Sequence, residues 1–122
     1  MIEEITDTVF DREYVREPRR LLSSYEFRLG VLEQRITIRL YWNISEHKVE
    51  YEQSHFLRSP AQFGPYTADT PRTNSEYDAL RTALGPLTAL YEYAIREGFK
   101  PEETWLVANE SFGSGGCKRR GD

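Results

Sequence analysis

Apolar and polar residues alternate strictly along residues 34–42 of the chain. The apolar side chains of this stretch are Ile36, Ile38, Leu40 and Trp42, and threonine, arginine and tyrosine stand between them. A period of two places the apolar set on one face, and the β-branched content favours a strand with one buried face. We therefore predict a strand here whose apolar face packs on the core.

A second alternating stretch follows at 48–57, after the turn-forming residues 43–47. Pairing the two stretches as a hairpin places apolar side chains opposite one another on one face and polar side chains on the other. The register that achieves this pairs Trp42 with Val49, Leu40 with Tyr51, Ile38 with Gln53, Arg39 with Glu52 and Tyr41 with Glu50. Apolar pairs and pairs of opposite charge both stabilise a sheet, so we predict this hairpin as its centre.

The part of the chain before the hairpin is less regular. Alternation around Tyr25, Phe27 and Leu29 predicts a third strand. Nearer the N-terminus, residues 7–15 fit a short helix whereas residues 5–10 fit a strand, and both alternatives stay open.

A helical stripe follows the strands. Steps of three and four residues place one apolar set on a single helix face: Tyr77, Leu80, Leu84, Leu87, Tyr91 and Ala94. Thr73 and Glu76 have the spacing of a capping box, which predicts an N-cap at Thr73, and Gly98 is a stop signal. Pro86 predicts a kink. Because the stripe keeps its phase across this proline, we predict one kinked helix over 74–97.

These elements define the fold class that we expect. Residues 58–73 are rich in proline and glycine and predict a long loop. Residues 102–109 predict a turn into a short apolar segment, which forms a last strand or an extended stretch packed on the core. Strands followed by a helix favour separate layers of sheet and helix. We predict one α+β domain over residues 1–112, with an antiparallel sheet of three to four strands packed against one long kinked helix, and a flexible Gly/Ser/basic tail over 113–122.

The charge balance narrows the classes of partner. The 122 residues contain 16 lysines and arginines and 20 aspartates and glutamates, a net charge of −4. The tail over 113–122 carries +2, so residues 1–112 carry −6. An acidic body is repelled by phosphate backbones and anionic membranes, which disfavours a nucleic-acid partner. The apolar runs are too short to span a bilayer, so we expect no membrane partner.

Cysteine and histidine usage limits the chemistry further. The chain has one cysteine and two histidines, and its carboxylates do not follow the spacing of a known metal loop, so we predict no metal and no cofactor. A single cysteine excludes an internal disulfide, and the acidic residues after Met1 do not resemble a signal peptide. We therefore expect a cytoplasmic protein.

The candidates for catalysis have structural explanations in the sequence. His55 could act as a general base, but the sequence has no recognisable nucleophile elbow. Glu50 and Glu52 lie beside Arg39 in the predicted hairpin, and an arginine there opposes the role of a proton donor. The basic residues between 12 and 20 are interleaved with acidic ones, as on a solvated face. We predict no catalytic residues and lean against an enzyme.

Tyrosine content is the unusual statistic, with eight tyrosines among 122 residues. Tyrosine is enriched at protein interfaces because it combines a large rigid ring with a polar tip. We expect a non-enzymatic, acidic protein-binding module, such as an accessory, inhibitor or immunity-type factor. The predicted contact residues are Tyr41, Tyr66, Tyr93 and Arg39, and an exposed edge strand could pair two copies as a homodimer.

Two alternatives stay open beside the binding module. The first is a small-ligand-binding or enzyme domain with a pocket between sheet and helix, lined by Tyr51, His55 and Tyr91. The second is a single-stranded nucleic-acid binder that uses Tyr41, Arg39 and the arginines between 12 and 20. A closed cleft at His55 would favour the first alternative, and retention on heparin or an oligonucleotide at low salt would favour the second.

Overall fold

The computed structural model describes residues 9–62 and 72–113. These residues form six strands, one long helix and one 3-10 turn. The strands are β1 (Arg19–Arg28), β2 (Arg35–Asn43), β3 (Lys48–Gln53), β4 (His55–Leu57), β5 (Arg72–Thr73) and β6 (Leu106–Ala108). The helix α1 spans Glu76–Arg96, and the 3-10 turn spans Glu103–Trp105.

The strands form two antiparallel sheets. The larger has the order β1-β2-β3-β5, and the smaller pairs β4 with β6. Helix α1 packs on one face of the larger sheet, and we call this the inner face. The predicted α+β class, with an antiparallel sheet against one long helix, is confirmed.

The hairpin of β2 and β3 has the predicted register. Trp42 lies opposite Val49, and the other four predicted pairs also lie opposite each other. At the turn, the backbone N–H of His47 donates to the carbonyl of Asn43 at 2.8 Å, and the His47 ring stacks on Trp42 with 5.9 Å between ring centroids. Alternation thus determined both the pairing and the buried face.

The predicted strand at 48–57 is broken at Ser54. Its first part, β3, pairs with β2, and its second part, β4, pairs with β6 in the smaller sheet. The backbone N–H of Thr37 donates to the Ser54 hydroxyl oxygen at 2.8 Å, and the Ser54 N–H donates to the Thr37 carbonyl at 2.9 Å. The Ser54 hydroxyl oxygen therefore takes the place of the backbone carbonyl that would accept the Thr37 N–H in a regular ladder. Beyond Ser54, the chain leaves the larger sheet and joins the smaller one.

The core between the inner face and α1 consists of two clusters. The Leu40 cluster contains the buried residues Ile38, Leu40, Val49, Tyr51, Ala79 and Ala83. The Trp105 cluster contains the buried residues Leu29, Leu32, Ile36, Leu57, Leu87, Ala94, Trp105 and Leu106. Phe27 packs against both clusters. The predicted apolar face of β2 thus contributes to both parts of the core.

Helix α1 begins two residues later than predicted. The N-cap is Ser75, whose hydroxyl oxygen accepts the backbone N–H of Asp78 at 3.0 Å. Thr73 instead belongs to β5 opposite Val49, and its hydroxyl donates to the Ser75 carbonyl at 2.9 Å. The predicted N-cap at Thr73 is therefore wrong, because pairing with β3 holds this residue in a strand.

The rest of α1 follows the sequence signals. The helix continues through Pro86, and the hydroxyl of Thr88 donates to the Gly85 carbonyl at 2.9 Å in the adjoining turn. It ends in a Schellman motif, in which Gly98 N–H donates to Ile95 and Phe99 N–H donates to Ala94. Gly98 has a φ of +93°, which glycine adopts without strain.

Several sequence predictions concern residues beyond those described. Of the predicted N-terminal helix over 7–15, the structure describes residues 9–15, and among these only Val9 and Phe10 are helical, so the prediction is wrong from Asp11 onward. Most of the predicted loop over 58–73 and all of the tail except Gly113 lie outside the described residues. Gly113 itself donates its N–H to the carboxylate of Glu52 at 3.3 Å.

Candidate functional site

The face of the larger sheet that is turned away from α1 carries a network of charged side chains, and we call it the outer face. The Arg19 guanidinium lies 3.6 Å above the ring centroid of Tyr41 and 3.6 Å from a carboxylate oxygen of Glu52. The Tyr41 hydroxyl donates to the same carboxylate at 3.3 Å. Glu52 is thus paired through Arg19, which reaches across β2, although Arg39 lies directly opposite it.

A second group of charges closes the hairpin end of this face. The Glu50 carboxylate accepts from Asn43 Nδ2 at 2.6 Å and from Arg72 Nε at 3.2 Å. Arg72 also pairs with the carboxylate of Glu46 in the turn. These bonds fasten β5 to the hairpin, so the carboxylates that suggested acid–base chemistry have structural partners.

A groove of about 620 Å³ lies along this network and the adjoining part of β3. Its charged lining consists of four carboxylates, Glu17, Glu46, Glu50 and Glu52, and two guanidinium groups, Arg19 and Arg72. Three of the carboxylates are bound by the arginines as described above. The groove is therefore polar, and because its carboxylates outnumber its guanidinium groups it keeps an excess of negative charge.

The approach to the groove has an uncommon backbone conformation. Glu17 has a φ of +53°, in the left-handed region that residues with a side chain rarely adopt. The next residue, Pro18, accepts the backbone N–H of Ile44 at 3.0 Å. This bond holds the chain against the end of β2 immediately before β1 begins.

The three residues of the predicted sheet–helix pocket lie apart. Tyr51 belongs to the Leu40 cluster and also lines the groove. Tyr91 packs against the Trp105 cluster, where its ring meets Trp105 edge-on at 6.0 Å between centroids and its hydroxyl oxygen accepts the N–H of Val31. His55 lies in the smaller sheet. Of the three residues, Tyr51 lines the groove described above, and His55 and Tyr91 do not.

His55 is held by the serine at which the chain changes sheet. Its Nδ1 lies 2.8 Å from the Ser54 hydroxyl oxygen, which already accepts the N–H of Thr37. The hydroxyl hydrogen of Ser54 is therefore free to bond to a neutral imidazole. Partial burial lowers the pKa of His55, which also favours the neutral ring at pH 7. This arrangement stabilises the bend between β3 and β4.

The predicted contact residues differ in their surroundings. Tyr41 is covered by Arg19, and the Arg39 guanidinium lies 4.7 Å from the ring centroid of Phe112. Tyr93 is 41% exposed on α1. Tyr66 lies outside the described residues. The arginine above Tyr41 occupies the ring face on which a nucleic-acid base would stack.

The sequence analysis missed an exposed aromatic–arginine pair on α1. Tyr77 was predicted in the buried stripe, but it is 74% exposed, and this prediction is wrong. The Arg81 guanidinium lies 5.7 Å from the Tyr77 ring centroid and 3.5 Å from the Asp78 carboxylate. The buried line of the helix begins instead at Ala79 and Ala83, whose small side chains allow α1 to approach the sheet closely, and it continues through Leu87 and Ala94 of the predicted stripe.

The described residues contain neither a candidate metal-binding cluster nor a candidate membrane-spanning helix. No group of three or more histidine, cysteine, aspartate or glutamate side chains within the described ranges is placed to hold a metal ion. In the same ranges, no helix has the length and apolar character needed to cross a membrane.

A scan against protein-family models matches no family, and searches of curated proteins and of solved structures return no match. The function is therefore argued from the chemistry and geometry of the residues themselves.

Proposed function

We propose that this chain is a non-enzymatic protein-binding module, an accessory, inhibitor or immunity-type factor, whose contact surface includes the outer side of α1. The observation that carries this proposal is the pair formed by Tyr77 and Arg81. Tyrosine and arginine are the residue types that, with tryptophan, contribute most binding energy at protein interfaces. Here they stand together on a capped helix, with the ring 74% exposed.

The geometry of the pair suits binding. A tyrosine ring has few rotatable bonds, so ordering it on binding costs little conformational entropy. Arg81 lies between the Tyr77 ring and the Asp78 carboxylate, and these contacts restrict its side chain further. Tyr93, 41% exposed on the same helix, remains a proposed contact residue.

The surroundings of the reactive side chains also favour binding over catalysis. The Ser54 hydroxyl bonds to the Thr37 backbone and to His55, and the carboxylates of Glu50 and Glu52 bond to arginines. Each of these groups has a partner that stabilises the fold. A catalytic pair would instead need one group directed at a bound substrate.

The net charge suggests the character of the partner. Residues 1–112 carry −6, so a surface with an excess of lysine and arginine would be attracted to this chain and would associate faster. We propose a partner protein of this kind rather than a nucleic acid. A cytoplasmic location, inferred from the single cysteine, is part of the same proposal.

The proposal is tested by replacing Tyr77 with serine. The wild-type chain and the Tyr77→Ser variant are immobilised, and proteins retained from a lysate of the producing organism are quantified by mass spectrometry. Tyr14→Ser is the matched control, because Tyr14 is 88% exposed but lies outside α1. We expect one protein retained in stoichiometric amount by the wild type and the control, and at least tenfold less by Tyr77→Ser. Equal retention by all three chains, or no stoichiometric protein, would refute the proposal.

A further inference from the structure

The outer edge of β1 is unpaired among the described strands. This strand has ten residues and is an edge strand of the larger sheet, hydrogen-bonded on one side to β2. Ser24, Tyr25 and Glu26 are exposed in its central part. A long open edge presents a row of backbone donors and acceptors that another strand can bind.

The hydrogen bonds of Thr37 establish which residues of β1 face this edge. Its N–H and carbonyl both bond to Ser54, so the backbone groups of Thr37 are directed toward β3. The backbone groups of successive residues in a strand point alternately to its two sides. The N–H and carbonyl of Ile38 are therefore directed toward β1, where Ile38 lies opposite Tyr25. The backbone groups of Tyr25 therefore bond to β2.

The neighbours of Tyr25 alternate in the same way. Ser24, Glu26 and Arg28 direct their N–H and carbonyl groups away from β2, toward solvent. An incoming strand must form its bonds with these three residues.

We propose that the strand that binds this edge is β1 of a second copy of the chain, antiparallel to the first, with the two Tyr25 residues opposite each other on the twofold axis. Ser24 of each copy then lies opposite Glu26 of the other. Two such pairs exchange four backbone hydrogen bonds, and the serine hydroxyls can donate to the facing carboxylates. The two larger sheets become one continuous sheet of eight strands.

The charges and the bulge of β1 select this register over its neighbours. An axis through Glu26 would place the two Glu26 carboxylates directly opposite each other, and an axis through Ser24 would carry the pairing further into the bulge at Leu22, where the register of β1 shifts. Like charges in directly opposed positions destabilise a sheet. An axis through Phe27 would leave only residues 26–28 paired, because β1 ends at Arg28.

The Tyr25 register also pairs aromatic rings. Tyr25 is 41% exposed in the single chain. In the pair it occupies a non-hydrogen-bonded site, where the two side chains are closest, and aromatic cross-strand pairs contribute favourably there. The opposite edge of the sheet is β5, which has two residues, so pairing through β1 closes a dimer instead of extending a fibre.

Sedimentation velocity over a concentration series tests the dimer. Glu26→Pro removes the outward N–H without removing a donor from the β1–β2 ladder, and proline is tolerated at such edge positions. Glu26→Ala is the matched control, because it retains the N–H. We expect a concentration-dependent dimer for the wild type, at most tenfold weaker association for Glu26→Ala and at least a hundredfold weaker association for Glu26→Pro. A wild type that stays monomeric overturns the proposal.

Cross-linking tests the register without relying on the proline variant. Tyr25→Cys is made in a Cys117→Ser background, so that one thiol is present per chain. Directly opposed residues are within the distance that a disulfide requires, whereas the two Ser24 residues are displaced along the strands beyond it. We expect rapid covalent dimers from Tyr25→Cys and slow ones from the Ser24→Cys control. Equal rates, or faster cross-linking of Ser24→Cys, overturn the register.

The dimer and the proposed function involve different residues, so they can fail separately. Loss of lysate capture by Tyr77→Ser in a chain that sediments as a monomer supports the binding module and refutes the dimer. If the chain forms the Tyr25-linked dimer but captures no protein from the lysate, the dimer is supported and the binding module is refuted.

Discussion

Glu103 is a single side chain that joins segments distant in the sequence. Its carboxylate accepts the backbone N–H of Glu33 at 2.7 Å and that of Gln34 at 3.3 Å, in the turn between β1 and β2. The Gln34 side-chain amide donates to it as well. The bond from Glu33 lowers the pKa of Glu103 most, desolvation opposes this, and the bonds from Gln34 lower the pKa further.

The first prediction concerns the acid sensitivity of the fold. Because the pKa of Glu103 is lower in the folded chain, the carboxylate stabilises the fold above its ordinary pKa of 4.5, and this contribution is lost as pH falls through the folded pKa. Glu103→Gln should lower the urea midpoint at pH 7 and make it decline less steeply below pH 4.5. Urea titrations at several pH values measure both effects.

The control for this prediction is Glu102→Gln, which changes the neighbouring carboxylate. The Glu102 carboxylate accepts the Thr104 hydroxyl at 3.3 Å, from a residue only two positions away in the sequence. We expect its pH profile to follow the wild type. Profiles of Glu103→Gln and wild type that run parallel at all pH values would contradict the assigned role.

At the scale of elements, the turn after β1 is defined by a glycine packed under an aromatic ring. Gly30 has a φ of +56°, and a Cβ built on it would lie 2.1 Å from the Tyr91 hydroxyl oxygen and 2.2 Å from Cζ. The Tyr91 side chain cannot withdraw freely, because its ring contacts Trp105 and its hydroxyl oxygen accepts the Val31 N–H. Position 30 therefore requires glycine for two reasons: its φ is positive, and the Tyr91 side chain occupies the space that a Cβ would need.

The second prediction compares two glycines with positive φ. Gly30→Ala should destabilise the fold by about 3 kcal/mol, since it adds backbone strain to overpacking. Gly98→Ala should destabilise the fold by only about 1 kcal/mol, because a Cβ there meets nothing within 4 Å and the strain of the positive φ is the only cost. Chemical denaturation measures the difference, and equal losses would show that the Tyr91 contact is unimportant.

The start of α1 illustrates why one element boundary was mispredicted. Both Thr73 and Ser75 have side chains that can cap a helix, and local sequence does not rank them. The choice depends on β3, since pairing of Thr73 with Val49 keeps it extended. The end of α1 was predictable, because Gly98 satisfies the Schellman motif with bonds made inside the same segment.

At the scale of the whole molecule, each of the two core clusters has one tryptophan in it or packed against it. Trp42 packs against the Leu40 cluster, and Trp105 is buried in the other. Phe27 and α1 contribute to both clusters. This continuity predicts that the two halves of the core unfold together.

The third prediction uses these tryptophans as reporters. In Trp105→Phe the fluorescence reports on the Leu40 cluster, and in Trp42→Phe it reports on the Trp105 cluster. In each variant we expect the fluorescence transition in urea to coincide with the loss of far-UV circular dichroism. Separate transitions within either variant would show that the clusters are independent units.

The candidate surfaces depend on packing between elements and were only partly predictable. The acidic body and the tyrosine content are properties of the composition, and they led to the binding-module hypothesis. The exposure of Tyr77 depends on how α1 rotates over the sheet, which is set by the close fit of Ala79 and Ala83. The covering of Tyr41 depends on Arg19, which belongs to the neighbouring strand β1.

The sequence by itself determined the hairpin register, the end of the helix and the α+β class, because each follows from periodicity or from bonds between near neighbours. Only the tertiary structure decided that the second strand breaks at Ser54, that Glu52 pairs with Arg19, and which tyrosines reach solvent. Those outcomes depend on side chains brought together from distant segments. Local periodicity specifies which face of an element is buried, but the neighbours on that face are chosen by the packing of the whole chain.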